Sequence, residues 1–352
     1  MATTKLSLTD FQAQLAPDAS LMAHDIDLDR DATLFVRLSE EEYRSASFLD
    51  NRVLRDGVAG AWIRQTHVSQ VMEARPLTGL HPHYIFHTGH VGSTLLSRLL
   101  DAIPGVLGVR EPLILRSLAR ASDRADLDDN SHEKARIRSR LAQQTALWRR
   151  SFCKDGVSIV KPTSSVARLG SVLLSALTGS RAVCLNVSLE VYVATHLAGE
   201  NAPQDLSGHY QERAHRLAKL TGLDSPAAST TGEQAAAAWI SESLTQRALS
   251  RQFGSRILFV DFDQLLASLP GSLRNIANHF GLKPPDWYFD QIELNPILFR
   301  YSKAPDAEFS PARRSVQLHS ARATYGSEFA NALAWAHALA RRSPEVSSLF
   351  ED

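Results

Sequence analysis

"FHTGHVGSTLLSRLL", Phe86 to Leu100, reads as the end of a buried strand, a glycine-bearing turn and the start of a helix. The run "HYIFH" (83–87) leads into it, and three further short apolar runs follow: "VSIVK" (157–161), "RAVCLNV" (181–187) and "RILFVDF" (256–262). Helix-length segments at 93–103, 131–152, 164–177, 189–198, 209–221 and 233–253 alternate with them. Apolar runs that show no polar face belong to strands covered on both sides. Alternation with helices makes this an α/β chain with a parallel central sheet flanked by helices. Before it, residues 1–80 mix a helix at "SLTDFQAQLA", with Ser7 as its cap, and a strand at "ATLFVRLS", as an N-terminal α+β extension. After residue 305, "SEFANALAWAHALARRS" predicts a helical C-terminal part. The expected domains are 1–80, 81–305 and 306–352.

With 352 residues, 44% hydrophobic and 22% charged, the chain has enough apolar surface for a sizeable core. Lys+Arg and Asp+Glu both count 38, so no basic excess points to nucleic acid. No apolar run reaches the length of a membrane span, and the N-terminus has no apolar signal region, which together predict a cytoplasmic protein. The two cysteines, Cys153 and Cys184, lie in or beside apolar runs and are expected as buried free thiols.

The turn carries the chemistry. Gly89 and Gly92 allow a tight bend and close backbone approach, while the helix start behind them offers unpaired N–H groups and a positive dipole end to an anion. Ser93 and Thr94 add hydroxyls. A plain capped strand-to-helix turn would have the same residues, so the motif alone leaves phosphate binding open. The pattern G-x-x-x-x-G-K-[ST] does not fit: two residues separate the glycines, and Ser93 stands at the lysine position. Nucleoside triphosphate hydrolysis, which needs that cation and Mg²⁺, is therefore disfavoured, as is a kinase whose metal would rest on Asp261 or Asp263.

"GHVGSTLLSRLLDAIPGVLGVREPLILRSLA" resembles the sulfotransferases, whose P-loop-like fold lacks that lysine, and among them the tyrosylprotein and related bacterial members. Their loop reads P-R-S-G-T-T-L and is followed by a helix, a "D-x-x-P" connector and an acidic residue; here Asp101 to Pro104 and Arg110-Glu111-Pro112 take those places. The likeness continues at "SIVKPTS" (158–164), at the Trp239 helix with "RILFVDFDQL", and at "YSKAP" (301–305). The resemblance implies a P-loop-like sulfotransferase fold and transfer of a sulfuryl group from 3′-phosphoadenosine 5′-phosphosulfate, without a metal, to an unidentified hydroxyl on a small molecule or a protein. It implies that Gly89, His90, Val91, Gly92, Ser93 and Thr94 hold the 5′-phosphosulfate. Glu111, in an apolar pocket, would be the general base, and Lys161 would stabilise charge on the leaving group.

Two departures from the family pattern stand out. His90 occupies the place of a loop Arg or Lys. At the 3′-phosphate site, a strand followed by "R-D-P" and a later serine becomes Asn186-Val187-Ser188, with Ala194 and Thr195 at the serine's place. Ser188, Thr195, His196, Ser302 and Lys303 are the candidate replacements, with Arg313 and Arg314 more simply read as surface. These departures support the alternative, a non-catalytic member of the fold that binds a nucleotide or a partner. The acceptor is expected to be selected by residues 1–80 and 199–232, and a homodimer is left open. His81, His83, His87 and His90 lack a Cys or acidic ligand to complete a metal site. The basic segment from Lys134 to Arg150 reads as a solvated face.

Overall fold

A computed structural model of the chain describes residues 6–224, 227–301 and 304–351. By its packing the chain divides into two compact units. One comprises Met1–Ile85, Thr94–Ala182 and Ile276–Phe289, the other Phe86–Ser93, Val183–Asn275 and Asp290–Asp352. Strands β1 (Leu21–Asp27), β2 (Ala32–Arg37) and β3 (Gly60–Arg64) form an antiparallel sheet in that order. Strands β4 (His83–His87), β5 (Val106–Arg110), β6 (Val157–Lys161), β7 (Ala182–Asn186) and β8 (Ile257–Asp261) form the parallel sheet, in the order β5-β6-β4-β7-β8. The α/β class read from the sequence is thus the architecture of the chain. Every residue of β4, β5 and β6 is buried, as strands covered on both faces require, including the polar His83, His87, Arg110, Ser158 and Lys161. Helices fill each connection between these strands, because parallel neighbours need a crossover. No helix among the described residues is long and apolar enough to cross a membrane.

In the first unit, Ser7 caps the helix Leu8–Gln14 by accepting from the Asp10 N–H, as its position predicts. The basic helix, Ser131–Leu147, is only in part the solvated face expected of it: Arg138 is exposed, but two of its arginines reach the N-terminal residues. Arg136 donates to the Leu28 carbonyl, and Arg140 meets the Asp31 carboxylate at 2.7 Å. Just beyond it, Arg150 donates to the carbonyls of Leu15, Asp18 and Leu21 at 2.8–2.9 Å, and burial pushes its guanidinium down to about 10. Three guanidinium groups of this segment, Arg136, Arg140 and Arg150, thus hold the residues between Leu15 and Asp31, while Arg138 is exposed.

The Asp101 connector has a structural reading of its own. Arg110 is 0% exposed and donates to Asp101 at 3.0 Å and to the carbonyls of Ala46, Tyr43 and Arg44 at 2.7–2.8 Å. Asp101 also accepts from the Gly108 N–H at 2.8 Å and from Arg44 at 2.9 Å. A buried charge is tolerated only when paired and hydrogen-bonded, and this network meets that condition. It fixes the end of β5, the strand that delivers Glu111.

In the second unit, helix Thr231–Phe253 packs along helices Ala202–Thr221 and Gly326–Ala340. Glu242, fully buried, receives Arg216 at 2.8 and 3.0 Å. Cys184 is buried, but Cys153 is exposed, against the expectation of two buried thiols.

Candidate functional site

The turn after β4 is held by Thr88 and Tyr192, which the sequence does not single out, together with Asn186 and His87. The Thr88 hydroxyl donates to Asn186 Oδ1 at 3.0 Å, the Tyr192 hydroxyl donates to the Thr88 carbonyl at 2.9 Å, and His87 Nδ1 accepts the Gly89 N–H at 3.1 Å. Backbone φ is then positive at Gly89 (104°), His90 (52°) and Gly92 (73°). This path costs glycine little and strains histidine. A methyl group on Gly92 would stand 2.0 Å from the Phe262 ring, so that position admits no side chain.

The result is a bend whose backbone donors are unused. Among the described residues the N–H groups of His90, Val91, Gly92 and Ser93 have no acceptor in the protein. Ser93 and Thr94, the first residues of the helix Ser93–Asp101, are 4% and 3% exposed, and Thr94 Oγ1 has no hydrogen-bond partner. Such amides, with a lone buried hydroxyl at a helix start, are groups that can hold an anion.

His90 leaves the bend toward two helices. Its Nε2 lies 3.6 Å from Asp205 Oδ2, and its ring meets the His196 ring edge-on at 4.8 Å between centroids. The His90 contact is the first reason that Asp205 is pushed down to about 2. His196 is buried with Nδ1 2.9 Å from the Tyr192 carbonyl oxygen, and burial, then the charge of His90, drives it to about 3. That ring stays neutral at physiological pH.

The residues expected to take the 3′-phosphate are occupied otherwise. Asn186 accepts from Thr88 and the Val187 N–H through Oδ1 and donates to Ser243 at 2.9 Å through Nδ2. Ser188 caps its own helix, Leu189–Leu197, and Thr195 donates to the Val191 carbonyl at 2.7 Å. Ser302 and Lys303 lie outside the described residues. Arg313 meets Glu308 at 2.9 Å in an exposed pair, and Arg314 meets Asp263.

Glu111 follows β5, whose last residue Arg110 pairs in register with Lys161 at the end of β6. The Glu111 N–H donates to the Lys161 carbonyl at 2.6 Å, Glu111 φ is 48°, and its carboxylate contacts the Lys161 ammonium. Their side chains are 9% and 0% exposed. The surroundings of Glu111 are therefore not the apolar pocket expected: its carboxylate contacts the buried Lys161 ammonium. Leu49 brackets the residue, donating to the Arg110 carbonyl at 2.7 Å and accepting from the Leu113 N–H at 3.1 Å. Arg52 lies over the Phe48 ring at 3.6 Å, is gripped by Asp50 at 2.6 and 2.8 Å, and is within reach of the Glu111 charge.

No family model and no curated protein matches the chain. Among solved structures it is similar to the sulfotransferase STF9 from Mycobacterium avium, at 11% identity and TM-score 0.40 over 73% of this chain and 81% of that one. It is likewise similar to the sulfotransferase STF1 from Mycobacterium tuberculosis H37Rv, at 14% identity and TM-score 0.39 over 76% and 81%. A third is the sulfotransferase domain from the curacin biosynthetic pathway, at 13% identity and TM-score 0.37 over 60% and 77%.

The sequence reading missed Thr88, Tyr192 and Ser243, which fix the bend and Asn186, and Asp205, which meets His90. One signal was there for Asp205: Pro203 marks a helix start, and the helix does run from Ala202 to Thr221 rather than from 209. The pairing of Asp205 with a residue 115 positions earlier has no local signature.

Proposed function

We propose that the chain transfers a sulfuryl group to a hydroxyl acceptor. The observation that carries this reading is the bend at 89–94: four N–H groups without a protein acceptor, a buried hydroxyl without a partner, and no lysine. Those groups fit a phosphosulfate and leave nothing to grip a γ-phosphate with its metal. Bound there, 3′-phosphoadenosine 5′-phosphosulfate would supply the sulfuryl group: a bond from the acceptor oxygen to sulfur forms as the bond from sulfur to the 5′-phosphate oxygen breaks, and 3′-phosphoadenosine 5′-phosphate leaves. The amides of His90, Val91, Gly92 and Ser93 and the Thr94 hydroxyl hold its anionic oxygens in one orientation, and no reorganisation is needed as charge moves. By the family resemblance Glu111 would take the proton from the acceptor hydroxyl, and within its own unit Lys161 contacts that carboxylate and holds it in place. The assignment to the tyrosylprotein branch rests on the sequence position of Glu111, and the segment around Leu49 is the part of the N-terminal extension best situated to shape the acceptor.

A second reading, binding without transfer, has one observation in its favour: Asn186, Ser188 and Thr195 are all satisfied within the protein, so none is waiting for a 3′-phosphate. Calorimetric titration with 3′-phosphoadenosine 5′-phosphate, with ATP and Mg²⁺ as control, tests the proposal. Heat with the first and not the second supports it, and turnover abolished by Glu111→Gln with donor binding retained separates transfer from binding alone. No heat with either ligand overturns it.

A further inference from the structure

The bend offers amides and hydroxyls, but with Ser93 at the lysine position its own residues bring no permanent cation. We infer that Arg314 is that cation: a binding residue whose free N–H groups meet an anionic group of the ligand held at the bend. This rests on the reading of the bend as an anion site and adds a residue to it.

The placement follows from one aromatic ring. Phe262 comes directly after β8, at the carboxyl end of a parallel strand, the edge at which open α/β sheets bind ligands. It is 3% exposed, and its ring edge abuts the bend where a methyl on Gly92 would meet it at 2.0 Å. The Arg314 guanidinium carbon lies over the same ring, 5.3 Å from its centroid. A single ring thus separates Arg314 from Gly92. Helix Pro311–Thr324 brings Arg314 there by packing on Leu189–Leu197, the helix whose Tyr192 hydroxyl anchors Thr88 at the root of the bend. All these residues belong to the unit of Phe86–Ser93, Val183–Asn275 and Asp290–Asp352.

The guanidinium is held without being used up. Its Nη1 donates to Asp263 Oδ1, and its plane rests on Phe262, which suits a flat, weakly hydrated cation that donates from its edge. Among the described residues Nε and Nη2 have no hydrogen-bond partner, and the side chain is 18% exposed, so a ligand can reach it. Arg313, next in the chain, contrasts with it: it is 62% exposed and pairs with Glu308. The free amides of His90 to Ser93 and the 3% exposed Thr94, whose Oγ1 has no partner, carry only partial charges. An anion that gives up water for them is offset better when a full charge stands beside them, because charge-assisted hydrogen bonds are the stronger kind.

Asp263 separates a binding role from a structural one. Affinity for 3′-phosphoadenosine 5′-phosphate is measured by calorimetry at pH 7.5 on the full chain and its variants. Arg314→Gln is expected to weaken binding about ten-fold, as loss of a charge-assisted contact does. Arg314→Lys should recover part of that loss, and Arg313→Gln should change affinity less than about two-fold, as befits an exposed pair. Asp263→Asn removes a competing carboxylate and leaves the cation, so binding should be no weaker than native. If Arg314 only tied its helix to Phe262 and Asp263, Asp263→Asn would weaken binding as Arg314→Gln does, and that result would overturn the inference. So would an Arg314→Gln effect under about two-fold. Inorganic sulfate, followed by the amide NMR signals of residues 90–93, gives an arm free of the nucleotide. If sulfate moves these signals at the same concentration in the native and Arg314→Gln chains, the inference fails and the anion site stands. If neither sulfate nor nucleotide moves them in the native chain, the anion-site reading fails and the inference falls with it.

Discussion

Lys161→Met breaks the ion pair that holds Glu111, and the size of the effect follows from where the pair sits. The ammonium is fully buried and the carboxylate 9% exposed, so removing Lys161 leaves a nearly buried charge without its counter-ion. Breaking such a pair from one side costs about 3–5 kcal/mol, and the slight exposure of Glu111 places the expected loss near the lower end, about 3 kcal/mol. Adding Glu111→Gln removes the stranded charge and should restore about 2 kcal/mol of that loss, a coupling expected of contacting residues. Urea unfolding of the native chain, both single variants and the double at pH 7.5 measures all four corners. The sulfotransferase resemblance places Lys161 on the leaving group, whereas its contact with Glu111 makes it the holder of the base. Lys161→Met, with or without Glu111→Gln, should then leave affinity for 3′-phosphoadenosine 5′-phosphate unchanged. A loss under about 1 kcal/mol, the scale of an exposed pair, or additive single effects would refute the buried pair. A fall in nucleotide affinity in the double variant would return Lys161 to the donor.

Gly92→Ala should destabilise by about 2–4 kcal/mol, since the new methyl meets the Phe262 ring at 2.0 Å and must adopt φ 73°; Phe262→Leu in the same chain should recover part of this in urea unfolding. Asp101→Asn removes the carboxylate from the fully buried Arg110 and should cost about 3 kcal/mol, against less than about 1 kcal/mol for Arg44→Ala, whose side chain is 35% exposed. His83 and His196 are held neutral in the folded chain, with values of about 4 and about 3 set first by burial. The unfolded chain binds protons on these rings below about pH 6.5 while the folded chain does not, so stability should fall as pH drops from about 6.5 toward 4. His196→Gln should flatten that decline in urea midpoints taken at pH 7.5 and 5.

The strands at 83–87 and 157–161 were legible from Tyr84-Ile85-Phe86 and from the β-branched Val157, Ile159 and Val160. β5 was not read as a strand, because Gly108 and Arg110 interrupt the run, and the burial of Arg110 depends on Asp101 and on carbonyls of Tyr43, Arg44 and Ala46, more than 60 residues away. β1 was hidden likewise: "LMAHDID" has two acids and a histidine, and its alternation is too weak to see without β2. The bend at 89–94 was legible because its geometry is local, dictated by glycines and a helix start. What the bend lacks, a partner for each amide, and what it gains, Asp205 against His90, depend on tertiary placement. Asn186 shows the same limit: its residue type suggested a weakened phosphate ligand, while its hydrogen bonds to Thr88, Val187 and Ser243 make it a strut for the bend.

The most direct measurement is a set of amide NMR signals from residues 90–93, followed as 3′-phosphoadenosine 5′-phosphate is added to the full chain. If these N–H groups are an anion cradle, their proton resonances move downfield together and saturate with the calorimetric affinity. If they stay in place while the nucleotide binds, or if no nucleotide binds, the unused donors of this bend hold no phosphosulfate.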